Sequence, residues 1–248
     1  MKLHPLSVSL ALVALSILAP AANAQSIGIN FGTDAGPSVL ATDQPGVVAG
    51  ANWNNVPGAS GSSIALQDNN ATLTSALLTF SSTSTYPGPA TNTPNAGTNA
   101  MYTGTLIGNN RLGEVKISIT NIPYAIYDVY VYATTNSGGA QNTLSMTDGT
   151  TTYYYNSGPG APLPTSLLQT TSTNPASPTP GGGQYQLFSG LTGSSVNIQT
   201  GGSIDGVISN NVYGLQIVGV AAVPEPGTIS LIGGVLISGG LALIRRKK

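Results

Sequence analysis

Between residues 114 and 133 the chain alternates apolar and polar residues almost one for one, and a period of two belongs to a β-strand with one buried face. Glu114-Val115-Lys116-Ile117-Ser118-Ile119-Thr120 places Val115, Ile117 and Ile119 together. Tyr127-Asp128-Val129-Tyr130-Val131-Tyr132-Ala133 gathers Tyr127, Val129, Val131 and Ala133 on one face and Asp128, Tyr130 and Tyr132 on the other. A helix would scatter the same residues around its axis. Asn121-Ile122-Pro123 separates the runs and turns the chain, because proline carries no N–H for a ladder.

The same period recurs on both sides. Ile27, Ile29 and Phe31 alternate within residues 26–31. Residues 184–188, 195–199 and 212–218 are further strand candidates, and residues 71–80, rich in Thr and partly alternating, lean the same way. Residues 144–147 and 150–155 flank Asp148-Gly149, a pair that tolerates positive φ and predicts a tight β-hairpin. Residues 81–99 and 159–183, rich in Ser, Thr, Pro, Gly and Asn, are expected to be surface loops, with Leu167-Leu168 tucked in. Many short strands with turn signals between them predict an all-β domain, an antiparallel β-sandwich of jelly-roll type over residues 25–222.

That domain needs no covalent staple. A core of this size is stable by burial alone, and the 248-residue chain has no cysteine. Thiolate metal sites and cysteine nucleophiles are thereby excluded. Between residues 25 and 222 the only cations are Arg111 and Lys116, against Asp34, Asp43, Asp68, Glu114, Asp128, Asp148 and Asp205. No basic footprint for nucleic acid exists there. Solubility falls to Asn, Gln, Ser and Thr, as is common in exported β proteins.

Both ends read as processing segments. Residues 1–24 have the parts of a signal peptide: Lys2, an apolar stretch over 6–19, and Ala22-Asn23-Ala24 with small residues where a signal peptidase reads. The apolar stretch falls short of the roughly 20 residues that span a bilayer, so cleavage before Gln25 is expected. At the other end, residues 223–226 read Val-Pro-Glu-Pro, residues 227–244 carry no charge, and Arg245, Arg246, Lys247 and Lys248 follow. As a helix the uncharged run would reach about 27 Å, close to the hydrocarbon thickness. The basic cluster would act as the membrane stop signal on the cytoplasmic side. Expected, then, are an N-terminal signal peptide, an extracellular domain and a single C-terminal transmembrane helix.

Pro224-Glu225-Pro226, the apolar span and the basic cluster, in that order, resemble the PEP-CTERM sorting signal. The resemblance implies recognition by an exosortase, a membrane-embedded cysteine protease-transpeptidase. It also implies cleavage near Pro224, Glu225 and Pro226 and delivery to the cell envelope or extracellular matrix. Proline fixes φ and cannot continue the helix below it, so the tripeptide stays extended above the span. Shorter blocks within the domain resemble exported PEP-CTERM cargo with a galactose-binding-like β-sandwich. They are Ile29-Asn30-Phe31-Gly32, Asn52-Trp53-Asn54-Asn55, residues 123–132 and Tyr213-Gly214-Leu215-Gln216-Ile217-Val218. What this second resemblance implies is the fold.

Chemistry has few carriers. The one histidine, His4, lies in the signal peptide, so a mature domain has neither a Ser-His-Asp triad nor a histidine metal ligand. Seven carboxylates leave a glycosidase pair open, yet Asp34, Asp68 and Asp148 sit in turn-like sequence where Asp bonds the local backbone. Asp128 interrupts a tyrosine-rich strand and is expected on the solvent face. No cofactor is expected; a structural calcium would suit the oxygen-rich loops, but no loop has calcium-motif spacing and no ligands are assigned. For extracellular polysaccharide the candidates are Trp53 and Tyr153, Tyr154 and Tyr155, since aromatic faces stack on sugar rings. Against that, Trp53 is favoured as a cap on the core, and the tyrosines can pack across strands while at least one points outward. The expectation is a non-catalytic cell-surface or matrix protein; a glycan-binding module comes second and a carboxylate-dependent glycoside-active enzyme last.

Overall fold

A computed structural model describes residues 25–88, 95–108, 114–134, 143–156, 166–179, 184–201 and 211–220. The signal peptide, Pro224-Glu225-Pro226, the 227–244 span and the basic tail lie outside the described residues. Within them the chain is an all-β sandwich of two sheets with one short helix.

In chain order the elements are β1 (Ser26–Phe31), β2 (Asn54–Val56), β3 (Ser60–Gln67), β4 (Leu73–Ser81), β5 (Ser84–Pro87), α1 (Ala96–Met101), β6 (Gly104–Ile107) and β7 (Lys116–Thr120). They continue with β8 (Ile126–Thr134), β9 (Thr143–Thr147), β10 (Thr152–Asn156), β11 (Gln169–Thr170), β12 (Tyr185–Thr192), β13 (Ser195–Gly201) and β14 (Asn211–Gly219). The first sheet runs β11-β12-β8-β14-β1-β2, with β6 beside β14 and β5 beside β6. The second runs β10-β9-β13-β7-β4-β3. Pairing is antiparallel except for the short β1–β2 and β11–β12 ladders.

The expected inward sets meet between the sheets. Ile27, Ile29 and Phe31 join Tyr127, Val129, Val131, Ala133, Leu215 and Ile217 from the first sheet. Opposite them stand Leu78, Phe80, Ile117, Ile119, Leu144, Met146, Val196 and Ile198. Phe31 and Phe80 meet across the interior with ring centroids 5.4 Å apart.

Several expectations need correction. The half-buried reading of β8 fails on its outer face, where Tyr132 is fully buried under a second apolar layer. That layer consists of Val39, Trp53, Met101, Tyr102, Tyr132 and Tyr213, laid over the first sheet by residues 39–53 and α1. Residues 81–99, read as a loop, contain β5 and the start of α1, whose N-cap Asn95 accepts a 2.8 Å bond from the Thr98 N–H. The hairpin after β9 is wider than a two-residue turn: Thr147 pairs with Thr152, and Asp148 accepts bonds from the Thr150 and Thr151 N–H groups. Gly149 takes φ +91° at its apex. Leu167 does pack against the outer layer, whereas Leu168 is exposed.

Sheet edges are closed by irregular backbone. Residues 172–179 lie against β10, with Tyr154 N–H donating to Ser172 O, Asn156 N–H to Thr179 O and Thr179 N–H to Tyr154 O. The β3 edge is broken by two register shifts and by Ser63 at φ +55°, which makes it a poor template for another strand. At the corner between β2 and β3 the Asn54 amide does the work of a ladder. Its Nδ2 donates to Gly28 O of β1 at 2.8 Å and to Gln67 O of β3 at 2.9 Å, and its Oδ1 accepts from Gln67 N–H at 3.0 Å. Asn55 repeats the device, donating to Val39 O and accepting from Val39 N–H and Asn30 Nδ2, each at 2.9 Å.

Asn54→Ala removes three bonds and strands backbone groups of both sheets, so unfolding in urea should show a loss of about 2–4 kcal/mol. Asn54→Asp should cost more than Asn54→Ala, because it sets a carboxylate against the Gly28 and Gln67 carbonyls. Equal stability of all three proteins would refute the clamp.

Candidate functional site

Two outer faces of the sandwich are candidates for a functional surface, and each follows from how alternation disposes a strand's side chains. The outer face of the first sheet is occupied by the chain itself. The rings of Tyr102 and Tyr213 meet in a tilted pair with centroids 4.8 Å apart, and those of Trp53 and Tyr132 lie 6.0 Å apart. The polar ends of these rings are all spent: Trp53 Nε1 donates to Gly50 O at 2.9 Å, Tyr102 OH to Gln184 O at 2.7 Å and Tyr132 OH to Gln216 Oε1 at 3.2 Å. Val47 N–H donates in turn to Tyr132 OH, and Gln216 Nε2 to Val48 O, which pins the covering segment. Glycines make the close approach possible: a Cβ on Gly28 would overlap the Trp53 ring, and one on Gly214 would stand 2.8 Å from the Met101 sulfur.

Trp53 is therefore 3 % exposed and offers no ring face to a sugar. Tyr155 is buried in the main core, and Tyr153 packs on Phe188 at 5.2 Å while donating to Leu187 O. Of the four aromatic candidates only Tyr154 faces outward, from the second sheet, on the opposite side of the sandwich from Trp53. The aromatic platform considered from the sequence is not assembled, because β10 sends alternate tyrosines to opposite faces.

Among the described residues the outer face of the second sheet is open around β4, β7 and β13, and its side chains form registered rows. Thr79, Ser118 and Asn197 stand abreast on β4, β7 and β13. Ser81, Lys116, Gln199, Thr147 and Thr152 form the next row, and Gly201, Ser145 and Tyr154 a third. A depression of about 350 Å³ lies over the first two rows, lined by Thr79, Ser81, Lys116, Ser118, Asn197 and Gln199, with Phe80, Ile117 and Ile198 of the same strands contributing apolar surface. This is a carpet of hydroxyls and amides, each able to donate and accept. Lys116 contributes one cation, 3.0 Å from Glu114 and largely solvated, so the pair adds little to stability. A wider cavity of about 520 Å³ lies beside residues 42–49 and the start of α1. Its one carboxylate, Asp43, already accepts from Leu40 N–H.

The Asp carboxylates of the described residues are tied into the fold, Asp68 and Asp148 within their own turns as expected, Asp34 and Asp128 to segments distant in sequence. Asp34 accepts from Gly58 N–H and Thr85 Oγ1, Asp68 from Asn70 and Thr72 N–H, Asp128 from Gly190 N–H and Asp148 from Thr150 and Thr151 N–H. The Gly58 bond, chiefly, lowers the Asp34 carboxyl below its ordinary value. Among the described residues no three Asp, Glu, His or Cys side chains converge as metal ligands, and no helix is long and apolar enough to cross a membrane. No protein-family model matches the chain, and no curated protein matches it.

Desolvation raises the phenols of Tyr102, Tyr132 and Tyr155 well above their ordinary value and that of Tyr213 to about 12. A group that ionises near pH 10 when unfolded but resists ionisation when folded contributes stability that is intact below pH 10 and drains away above it. Alkaline titration should therefore show part of the phenolate absorbance appearing late, together with the loss of β-sheet circular dichroism. Smooth ionisation of all tyrosines near pH 10 with the fold intact would contradict the buried layer.

Proposed function

We propose that this chain is an exported cell-surface or extracellular-matrix protein with a non-catalytic β-sandwich, sorted through a PEP-CTERM signal at residues 223–248. The observation that carries the reading is the order Pro224-Glu225-Pro226, an uncharged 227–244 and the cations Arg245, Arg246, Lys247 and Lys248. A span of that length places the tripeptide just outside the bilayer, extended and unable to join the helix. Signal peptidase acts at the N-terminal end and an exosortase near Pro224-Glu225-Pro226. Within the sandwich we favour a jelly-roll-like, galactose-binding-like arrangement; in its support, the chain passes repeatedly from one sheet to the other, as from β6 to β7 to β8 to β9.

A second reading, glycan binding, is favoured by one observation: the hydroxyl and amide rows over the depression on the second sheet. Neutral polysaccharide presents arrays of donors and acceptors, and uncharged amides and hydroxyls match them without desolvating ions. Tyr154 stands at the margin of that face, where its ring could stack.

Replacing Pro224, Glu225 and Pro226 together with alanine should leave unprocessed chain in the membrane fraction, read as the intact mass of the C-terminal peptide; unchanged processing would sink the sorting reading. For the second reading, Asn197→Ala with Gln199→Ala should weaken polysaccharide binding about tenfold, at roughly 1 kcal/mol or less per neutral hydrogen bond. A glycan array without hits for the wild-type domain would dismiss it.

A further inference from the structure

Both ends of the described chain meet at one pole of the sandwich, where Ser26 pairs with Val218 and Gly219 N–H donates to Gln25 O at 2.9 Å. The β3–β4 connection joins them there, since Asn69 N–H donates to Ser26 O and Asn69 Oδ1 accepts from Ser26 N–H. The start of β8 closes the pole, with Val220 N–H donating to Ile126 O. Three large apolar side chains stand exposed on these segments: Leu73 at 71 %, Val220 at 45 % and Ile126 at 42 %. Tyr124 stands at the same pole, packed on Gly219 and near enough to Asp68 to feel its charge. The carboxylates of this pole, Asp68 and Asp128, are turned to backbone N–H groups, and among the described residues it carries no cation.

We propose that this pole is a membrane-docking surface, with Leu73, Ile126 and Val220 resting in the interface of the zwitterionic bilayer that the chain's own residues 227–244 cross. The proposal rests on reading 227–244 as a span. Chain length supplies the argument. Seven residue steps separate Val220 from Gly227, and fully extended they reach at most about 25 Å. Pro224 and Pro226 stiffen that stem. The pole is thereby held within reach of the headgroups, and apolar side chains without a nearby cation suit a neutral interface, where their burial is favourable. Docking would hold Pro224-Glu225-Pro226 at one height above the membrane instead of letting the domain tumble around it.

The absence of cysteine makes the test direct. Full-length chains carrying Leu73→Cys, Ile126→Cys or Ser60→Cys, each labelled with one fluorophore, are reconstituted in phosphatidylcholine vesicles containing a headgroup-nitroxide lipid. Ser60 begins β3 and lies at the opposite pole, about 25 Å along the strand. Labels at 73 and 126 should be quenched several-fold more than the label at 60; equal quenching at all three overturns the docking while leaving the span intact. A chain that does not float with the vesicles overturns the span and the docking together. A Thr192→Cys label at the same pole separates apolar contact from mere tethering. Adding Leu73→Ser and Ile126→Ser should reduce its quenching several-fold, and no change would assign the proximity to the stem alone.

Discussion

Asn54 touches both sheets, and the corner it holds determines what the rest of the sandwich can do. Its amide supplies a donor and an acceptor to Gln67 and a further donor to Gly28, so a side chain stands in for a missing length of strand. Backbone polar groups at a buried corner must be paired. In a chain with so few charges the pairing is left to amides and hydroxyls. Asn55 on Val39, Asn69 on Ser26 and Gln216 on Val48 extend the same solution across the outer face of the first sheet. Those bonds place the covering segment, and the covering segment is what buries Trp53 and Tyr132.

Two-sided burial of β1 and β14 follows from this cover and explains their composition. A strand with one wet face can alternate freely, whereas here every residue of β1 is buried. Apart from Tyr213, which belongs to the outer layer, outward positions such as Ser26, Gly28, Asn30, Gly214 and Gln216 are small or amide residues, which leave room for aromatic rings or bond the neighbouring segments. Among the described residues nothing covers the second sheet around the depression, and its outward positions there revert to Thr, Ser, Asn, Gln and a lone lysine. Within the described residues the chain thus presents one sealed β surface and one open one.

The sandwich was legible wherever the two faces of a strand differ in side-chain type. β7 and β13 lie close to where alternation placed them, because one face meets the core and the other stays outside it; β1 and β14, buried on both faces, and β8, covered at Tyr132, still alternate aliphatic residues with small, amide or tyrosine ones and were placed as well. The outer aromatic layer was not legible. Alternation alone read the face of Tyr130 and Tyr132 as the outer side of a half-buried strand, and the cover comes from Val39, Trp53, Met101 and Tyr102, distant in sequence and without periodicity. β2, β5 and β6 are too short for a period to register, and α1 is a single capped stretch in Ser/Thr/Asn-rich sequence, where Asn95 with Thr98 was its only signal. At the site, the tyrosine run did send one ring outward, but the hydroxyl and amide rows around Asn197 carry no motif. They become a surface only when β4, β7 and β13 are set in register.

β14 has consequences for mechanics as well as packing. It is a central strand, flanked along its length by β8 on one side and by β1 and then β6 on the other. A load applied at its C-terminal end, against a grip elsewhere on the sandwich, pulls it lengthwise between its neighbours. Its cross-strand bonds then bear the force in parallel as shear, whereas a strand at the sheet margin would peel open one bond at a time. A domain held by this strand is suited to staying folded under flow or tension.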